Sequence, residues 1–183
     1  MYLAMINGPC GAGKSTIAEL LAERLPESVL LSTDALRDTM PEPLIADVLD
    51  RDERYALMKD VSFVGRQIAQ KALLEGRSVI LDSIMYDDEW VDPWVKIGQA
   101  SGALVADICV IAPKAIVTER VLARDAGEDS RLTPAKISDL YDKVAHFYSN
   151  RPRSLVVRTD ELTPVQAMRT IAYYLENQLP DLA

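Results

Sequence analysis

The sequence predicts an α/β fold, a parallel sheet of five strands covered by helices on both faces. Three observations predict it. Short apolar runs alternate with segments whose apolar residues recur at helical spacing, the pattern of successive strand–helix–strand units. A glycine-rich turn joins the first run to the first helical segment. The chain of 183 residues suits one domain over 1–183, and no repeat, low-complexity tract or linker divides it.

Tyr2–Ile6 is an apolar run closed by Asn7-Gly8-Pro9, as a buried strand would be. A helix runs from Lys14, with Ile17, Leu20, Leu21 and Leu25 on one face, until Pro26 ends it. Val29–Leu31 is the second strand. Pro41 and Pro43 then forbid a long helix. From about Asp52 to Glu75 the helical stripe is Leu57, Val61, Val64, Ile68 and Ala72, and Gly76 is its stop. Val79–Leu81 and Leu104–Ile111 are the third and fourth strands, followed by a helix over Lys114–Arg124. Thr133-Pro134 places a cap and a first-turn proline at the start of another helix, buried through Ile137, Leu140, Tyr141, Val144 and Tyr148. Leu155–Val157 is the fifth strand, and Thr163-Pro164-Val165-Gln166 is a capping box for the last helix.

Composition excludes several classes. Apolar residues make up 49% and charged residues 26%, which excludes disordered and collagen-like chains. The longest apolar stretch, Ala103–Ala112, is broken by Asp107 and too short for a bilayer, so no membrane partner is expected. Met1–Ile6 lacks the flank and cleavage site of a signal peptide. Cys10 and Cys109 cannot form a disulfide framework and read as reduced thiols of a cytoplasmic protein, monomer or homodimer. The net charge is −8, which disfavours general nucleic-acid binding. Residues 113–158 are the exception, with 9 basic against 6 acidic side chains.

The strongest chemical signal is Gly8-Pro9-Cys10-Gly11-Ala12-Gly13-Lys14-Ser15, which fits G-x-x-x-x-G-K-[ST] between a strand and a helix. Glycines let such a loop wrap a phosphate with its N–H groups inward, and the helix N-terminus adds donors and a favourable dipole. Lys14 would reach the β- and γ-phosphates of ATP, Ser15 would ligate Mg²⁺, and Thr16 is a lesser candidate for the α-phosphate. No N-K-x-D motif reads guanine, and no Glu follows Asp82 as in motor and transporter ATPases, which leaves a small kinase. Asp34 and Asp82 both follow strand ends, where the ligand crevice of a parallel sheet lies. Asp34 either accepts the proton of an attacking hydroxyl, with Arg37 holding an anionic part of the substrate, or caps a short helix with Thr33. Asp82 would orient Mg²⁺ or hold substrate. Arg120 and Arg124, one turn apart in the basic segment, either meet the transferring phosphoryl group or lie on a solvated face.

GPCGAGKST, STDALR, VILDS, ERVLARD and RLTPAKISDLYDK together resemble the kinase domain of polynucleotide 5′-kinases and their small relatives, the zeta-toxin-like kinases and chloramphenicol phosphotransferases. The resemblance spans roughly Met1 to Leu175. It implies a P-loop fold with sheet order 2-3-1-4-5 and a small lid at about 120–133. It implies Asp34 as base, Arg37 as an acceptor-side contact, and Arg120, Arg124 and, more weakly, Arg131 as lid arginines on the ATP phosphates. One stretch departs from polynucleotide kinases, which tend to carry Thr-Asn and then basic residues after the third strand. Here Asp82 is followed by Ser83-Ile84-Met85-Tyr86-Asp87-Asp88-Glu89-Trp90. Either that acidic run lies on an outer helix face and Trp90 and Trp94 pack in the core, or Ile84, Met85, Trp90 and Trp94 form an apolar wall and the run points to a small hydroxylated acceptor, neutral or cationic, in preference to nucleic acid. The alternatives are a 5′-hydroxyl polynucleotide kinase and a non-catalytic ATP-binding switch.

Overall fold

Strand alternation decides which side chains meet on each face of the sheet. In the computed structural model, which describes residues 1–40, 51–124 and 133–177, five parallel strands pair in the order β2-β3-β1-β4-β5. They are β1 (Tyr2–Asn7), β2 (Val29–Ser32), β3 (Val79–Asp82), β4 (Leu104–Ile111) and β5 (Leu155–Arg158). The helices are α1 (Lys14–Arg24), α2 (Thr33–Asp38), α3 (Arg51–Leu74), α4 (Asp88–Ala100), α5 (Lys114–Arg124), α6 (Pro134–Ser149) and α7 (Pro164–Asn177).

On one face Ala4, Ile6, Ile108 and Val110 pack with Ile17 and Leu21 of α1, Val117 of α5, and Ile171 and Leu175 of α7. On the other, Leu3, Met5 and Leu81 meet Ala69 and Leu73 of α3 and Val91 and Trp94 of α4. Beside them Cys109 meets Val144 and Tyr148 of α6. Each large side chain fully buried this way contributes about 1.5–3 kcal/mol of transfer free energy. The expected caps form. Thr133 Oγ1 accepts from the Lys136 amide at 3.3 Å, and Thr163 and Gln166 bond each other's backbone N–H at 2.9 and 3.3 Å.

Three expectations need correction. The buried stripe of α3 runs through Leu57, Val61, Gly65, Ala69 and Leu73, whereas Val64 and Ile68 are 39% and 38% exposed. Small residues face the core there because a Cβ at Gly65 would stand 3.0 Å from the Trp94 ring, so the approach excludes a larger side chain. The helix α4 has no counterpart among the predicted elements. Its pattern is obscured by the internal Pro93 and Gly98 and by the acidic first turn, while Asp87 caps it by accepting from the Trp90 amide at 3.1 Å. Finally, Met85 and Trp94 are each 1% exposed inside the core and form no acceptor wall, although Ile84 and Trp90 stay partly exposed.

The register sets the site. Asp82 lies opposite both Ile6 of β1 and Ser32 of β2. The loop after β1, Asp82 and the start of α2 therefore share the C-terminal edge of the sheet. Among the described residues no helix is long and apolar enough to cross a membrane.

Candidate phosphate-transfer site

The loop from Gly8 to Gly13 can take its course only because its glycines lack side chains. Gly8 has φ 150°, and a Cβ there would lie 2.0 Å from the Val110 carbonyl oxygen. Gly11 has φ 76°, and its Cβ would lie 2.5 Å from the Val117 carbonyl. Both positions press the loop against β4 and α5. Pro9 and Ala12 are buried, and Cys10 is half-buried. The loop delivers the chain into α1 through Gly13, which offers no side-chain cap, and the first turn of α1 carries no acid. This helix start thus leaves its N–H groups and dipole to an outside anion. By contrast, α4 starts with Asp87 as cap and Asp88 and Glu89 in its first turn.

Lys14 is buried and donates from Nζ to the Pro9 carbonyl at 3.1 Å, so its ammonium is folded along the loop. Ser15 Oγ donates to Asp82 Oδ2 at 2.7 Å. Burial pushes the Asp82 carboxyl above its ordinary range, opposed by the Lys14 ammonium and the Ser15 hydrogen bond, with Asp34 adding a further upward push. Among the described residues no group of three or more His, Cys, Asp or Glu forms a metal cage. A hydroxyl beside one carboxylate is the hard-oxygen donor set that Mg²⁺ takes when substrate phosphates and water complete its shell, so the pair fits that ion. Thr16 is exposed at the start of α1.

Asp34 lies in the first turn of α2 with its side chain 66% exposed. It does not cap the helix. Ser32 does, accepting from the Ala35 amide at 3.3 Å, while Thr33 turns inward to the Ser83 hydroxyl at 3.3 Å. Arg37 Nη1 donates to Asp34 Oδ1 at 3.1 Å, and the same guanidinium bonds Asp38 at 2.8 Å. Burial pushes the Cys10 thiol up, Lys14 and Arg124 oppose that shift, and Asp34 reinforces it, so the charges of all three act on the loop.

Arg120 is exposed yet engaged. Its Nη1 donates to Thr159 Oγ1 at 3.0 Å and to the Gly11 carbonyl at 3.5 Å, and its Nη2 donates to the Thr159 carbonyl at 2.9 Å. Thr159 Oγ1 in turn donates to the Ala12 carbonyl at 2.9 Å. Arg120 and Thr159 thereby brace the phosphate loop from outside. Sequence reasoning missed Thr159, although the rule that found Asp34 applies to it, since it directly follows β5. Arg131 and much of the expected lid over 120–133 lie outside the described residues.

The acidic run past Asp82 is mostly spoken for. Asp87 is the cap of α4, Asp88 pairs with Arg151 at 2.6 Å, and Glu89 pairs with Lys59 and accepts from the Tyr55 hydroxyl at 2.7 Å.

Fold and loop together define a P-loop domain with the architecture of the small P-loop kinases. A family model described as AAA domain matches residues 3–147, and the chain belongs to that family. No curated protein matches it. Solved structures do. A candidate kinase from Chloroflexus aurantiacus aligns over 96% of both chains with TM-score 0.74 and 21% identity. The tunicamycin resistance protein of Deinococcus radiodurans aligns over 96% of both with TM-score 0.67 and 20% identity. A gluconokinase from Sinorhizobium meliloti covers 97% of this chain and 95% of its own, with TM-score 0.65 and 17% identity.

Replacing Asp82 with Asn is expected to raise the melting temperature of the metal-free protein at neutral pH. A carboxyl whose folded pKa is raised destabilises the fold above that pKa, and the cost fades as pH falls toward the ordinary carboxylate value. Thermal unfolding against pH checks this: the gap between wild type and Asp82→Asn should close on acidification.

Proposed function

We propose that the chain transfers the γ-phosphoryl group of ATP to a hydroxyl of a small molecule. The observation that carries the reading is the meeting, at one sheet edge, of the glycine loop, the Ser15–Asp82 pair and an Asp34 relieved of helix capping. In this reading the loop amides and Lys14 bind the phosphates, and Ser15 and Asp82 hold Mg²⁺, which when bound neutralises charge between the β- and γ-phosphates. Asp34 takes the proton of the acceptor hydroxyl as its oxygen forms the bond to the γ-phosphorus. The bond from that phosphorus to the bridging oxygen breaks, and ADP leaves. Arg37 fixes the Asp34 carboxylate or an anionic group of the acceptor, and Arg124 faces the transferring charge. The expected cytoplasmic location belongs to the same reading.

A small acceptor is supported by the names of the structural neighbours, which include a gluconokinase and a sugar kinase. One observation favours the polynucleotide alternative more than the sequence did. With Asp88 and Glu89 paired to Arg151 and Lys59, the repulsion toward a phosphodiester strand is smaller than the bare run of acids implies. The deciding assay sets 5′-hydroxyl oligonucleotides against sugars, sugar acids, nucleosides and hydroxylated antibiotics with labelled ATP. Salt-sensitive labelling of the oligonucleotide would promote the polynucleotide reading. Slow turnover that no acceptor stimulates would promote an ATP switch.

The two arginines should separate kinetically. Arg124→Ala should lower kcat more than it weakens ADP binding, because it meets charge that develops only during transfer. Arg120→Ala should weaken ADP roughly tenfold as well, since two hydrogen bonds to Thr159 and one to the loop are lost. Calorimetry with ADP beside steady-state kinetics reads both, and unchanged constants in both variants would remove both residues from the transfer machinery.

A further inference from the structure

The last strand joins the sheet late. The register of β5 with β4 begins at Ile108 opposite Leu155, so Leu104–Asp107 has a strand neighbour only on the β1 side. A cavity of about 590 Å³ occupies the notch, within the size range of small-molecule sites. It lies toward the edge where β4 enters the sheet, opposite the edge that carries the phosphate loop, and none of its lining residues belongs to the phosphate-transfer site. Two arginines line it from one turn. Ser154 closes that turn, its amide and hydroxyl donating to the Arg151 carbonyl at 3.1 and 2.7 Å, with Pro152 at the position its fixed φ suits. Arg151 is held in place. Its Nε donates to Asp107 Oδ2 at 2.9 Å, its Nη1 to Asp88 Oδ1 at 2.6 Å, and its guanidinium lies 4.7 Å from the centre of the Phe147 ring. Asp107 also accepts from the Tyr148 hydroxyl at 2.9 Å. Nη2 of Arg151 makes no hydrogen bond, and Arg153 is exposed with no partner among the described residues. Arg151, Arg153 and Asp107 are the charged groups of the lining, a surplus of one positive charge in a chain of net charge −8. Asp88, the other partner of Arg151, is 68% exposed outside the lining, where solvent and salt screen it. Val95 of α4, Leu104 of β4 and Tyr174 of α7 stand half-buried around the same space.

We propose that this notch is a second ligand site and that it takes a small monocarboxylate with an apolar body. The guanidinium of Arg153 donates to the carboxylate as a two-pronged fork, the geometry in which arginine binds that group most strongly. The free Nη2 of Arg151, on a side chain already fixed by Asp107 and Phe147, adds a donor that costs little to order. The body of the ligand covers Val95, Leu104 and Tyr174, so the few polar groups set its orientation and the apolar wall supplies contact area. A single negative charge matches the surplus of the lining. An inorganic anion has the charge without the body, and a neutral alcohol has the body without the charge. The site stands apart from the kinase reading, and its ligand does not compete with nucleotide.

The test titrates the full, isotope-labelled chain with hexanoate and benzoate at millimolar concentration and follows its amide resonances. Hexanol, benzyl alcohol and inorganic phosphate are the controls. At least one carboxylate should saturably shift the amides of Leu104–Asp107 and of Arg153 and Ser154, and leave those of Gly8–Ser15 in place. Each control should bind roughly tenfold more weakly or worse. Arg153→Glu changes an exposed residue, so it should keep the wild-type melting temperature and weaken the carboxylate by about tenfold or more. Arg153→Lys keeps the charge and loses the fork, and its affinity should fall between the two. Absence of a saturable shift with both carboxylates, shifts confined to the phosphate loop, equal affinity for a control, or unchanged affinity in a folded Arg153→Glu protein overturns the inference.

Discussion

Lys14→Ala is expected to abolish phosphoryl transfer, by at least about 10³ in kcat, in a protein that still folds. The two halves of that expectation come from different facts. The ammonium is buried at the loop and bonds the Pro9 carbonyl, so its removal costs about one hydrogen bond, on the order of 1 kcal/mol. For a chain of this size that corresponds to roughly 2–4 °C in Tm. The catalytic loss is larger because the positive charge is held, largely shielded from water, where the phosphates would lie. A second effect follows from Asp82. The Lys14 charge opposes the upward push on that carboxyl, so its loss should raise the Asp82 pKa further and move the acid limb of Mg²⁺ binding toward neutral pH. ATP turnover, thermal unfolding and Mg²⁺ titration against pH check the three parts. Near-normal turnover in a folded Lys14→Ala protein would sink the assignment of the loop.

Asp34→Asn should lower kcat by roughly 10²–10⁴ and leave nucleotide affinity nearly unchanged. The structure makes this variant cleaner than sequence alone suggested. Ser32 caps α2, so the helix keeps its start when the carboxylate goes. The Arg37 pair is exposed, and such pairs contribute only about 0.2–1 kcal/mol. A fall in activity therefore cannot be blamed on unfolding. Single-turnover kinetics with a saturating acceptor and calorimetry with ATP separate the outcomes. Collapse of nucleotide affinity with unchanged kcat would make Asp34 a donor-side residue.

The five strands, the phosphate loop and the capped starts of α6 and α7 were legible because each depends on local sequence. A buried parallel strand is an unbroken apolar run, and a cap is a fixed spacing of side chain and amide. Two kinds of feature were not legible. The first arises where packing selects small residues: Gly65 and Ala69, and not Val64 and Ile68, face the core of α3, because the Trp94 ring occupies the space. The second arises where a residue's partner is distant in the chain. Nothing near Asp88 or Glu89 announces Arg151 or Lys59, and nothing near Gly11 announces Thr159. The site followed the same division. Lys14, Ser15, Asp34 and Asp82 are singled out by motif and strand end, whereas Thr159 joins them only through its bond to the Ala12 carbonyl.

The Thr159 brace has a consequence for where this protein can be cut. A chain ended at residue 147 would keep the whole family match, every glycine of the loop and both acids of the site. It would lose β5 from the edge of the sheet, the hydroxyl that ties down Ala12 and the groups that hold Arg120. It would also strip α7 from α1 and remove Ile171 and Leu175 from the cluster that holds Ile17 and Leu21. The smallest working unit is therefore longer than the smallest recognisable one, and it is the last strand and helix, which carry no motif, that hold the motif in shape.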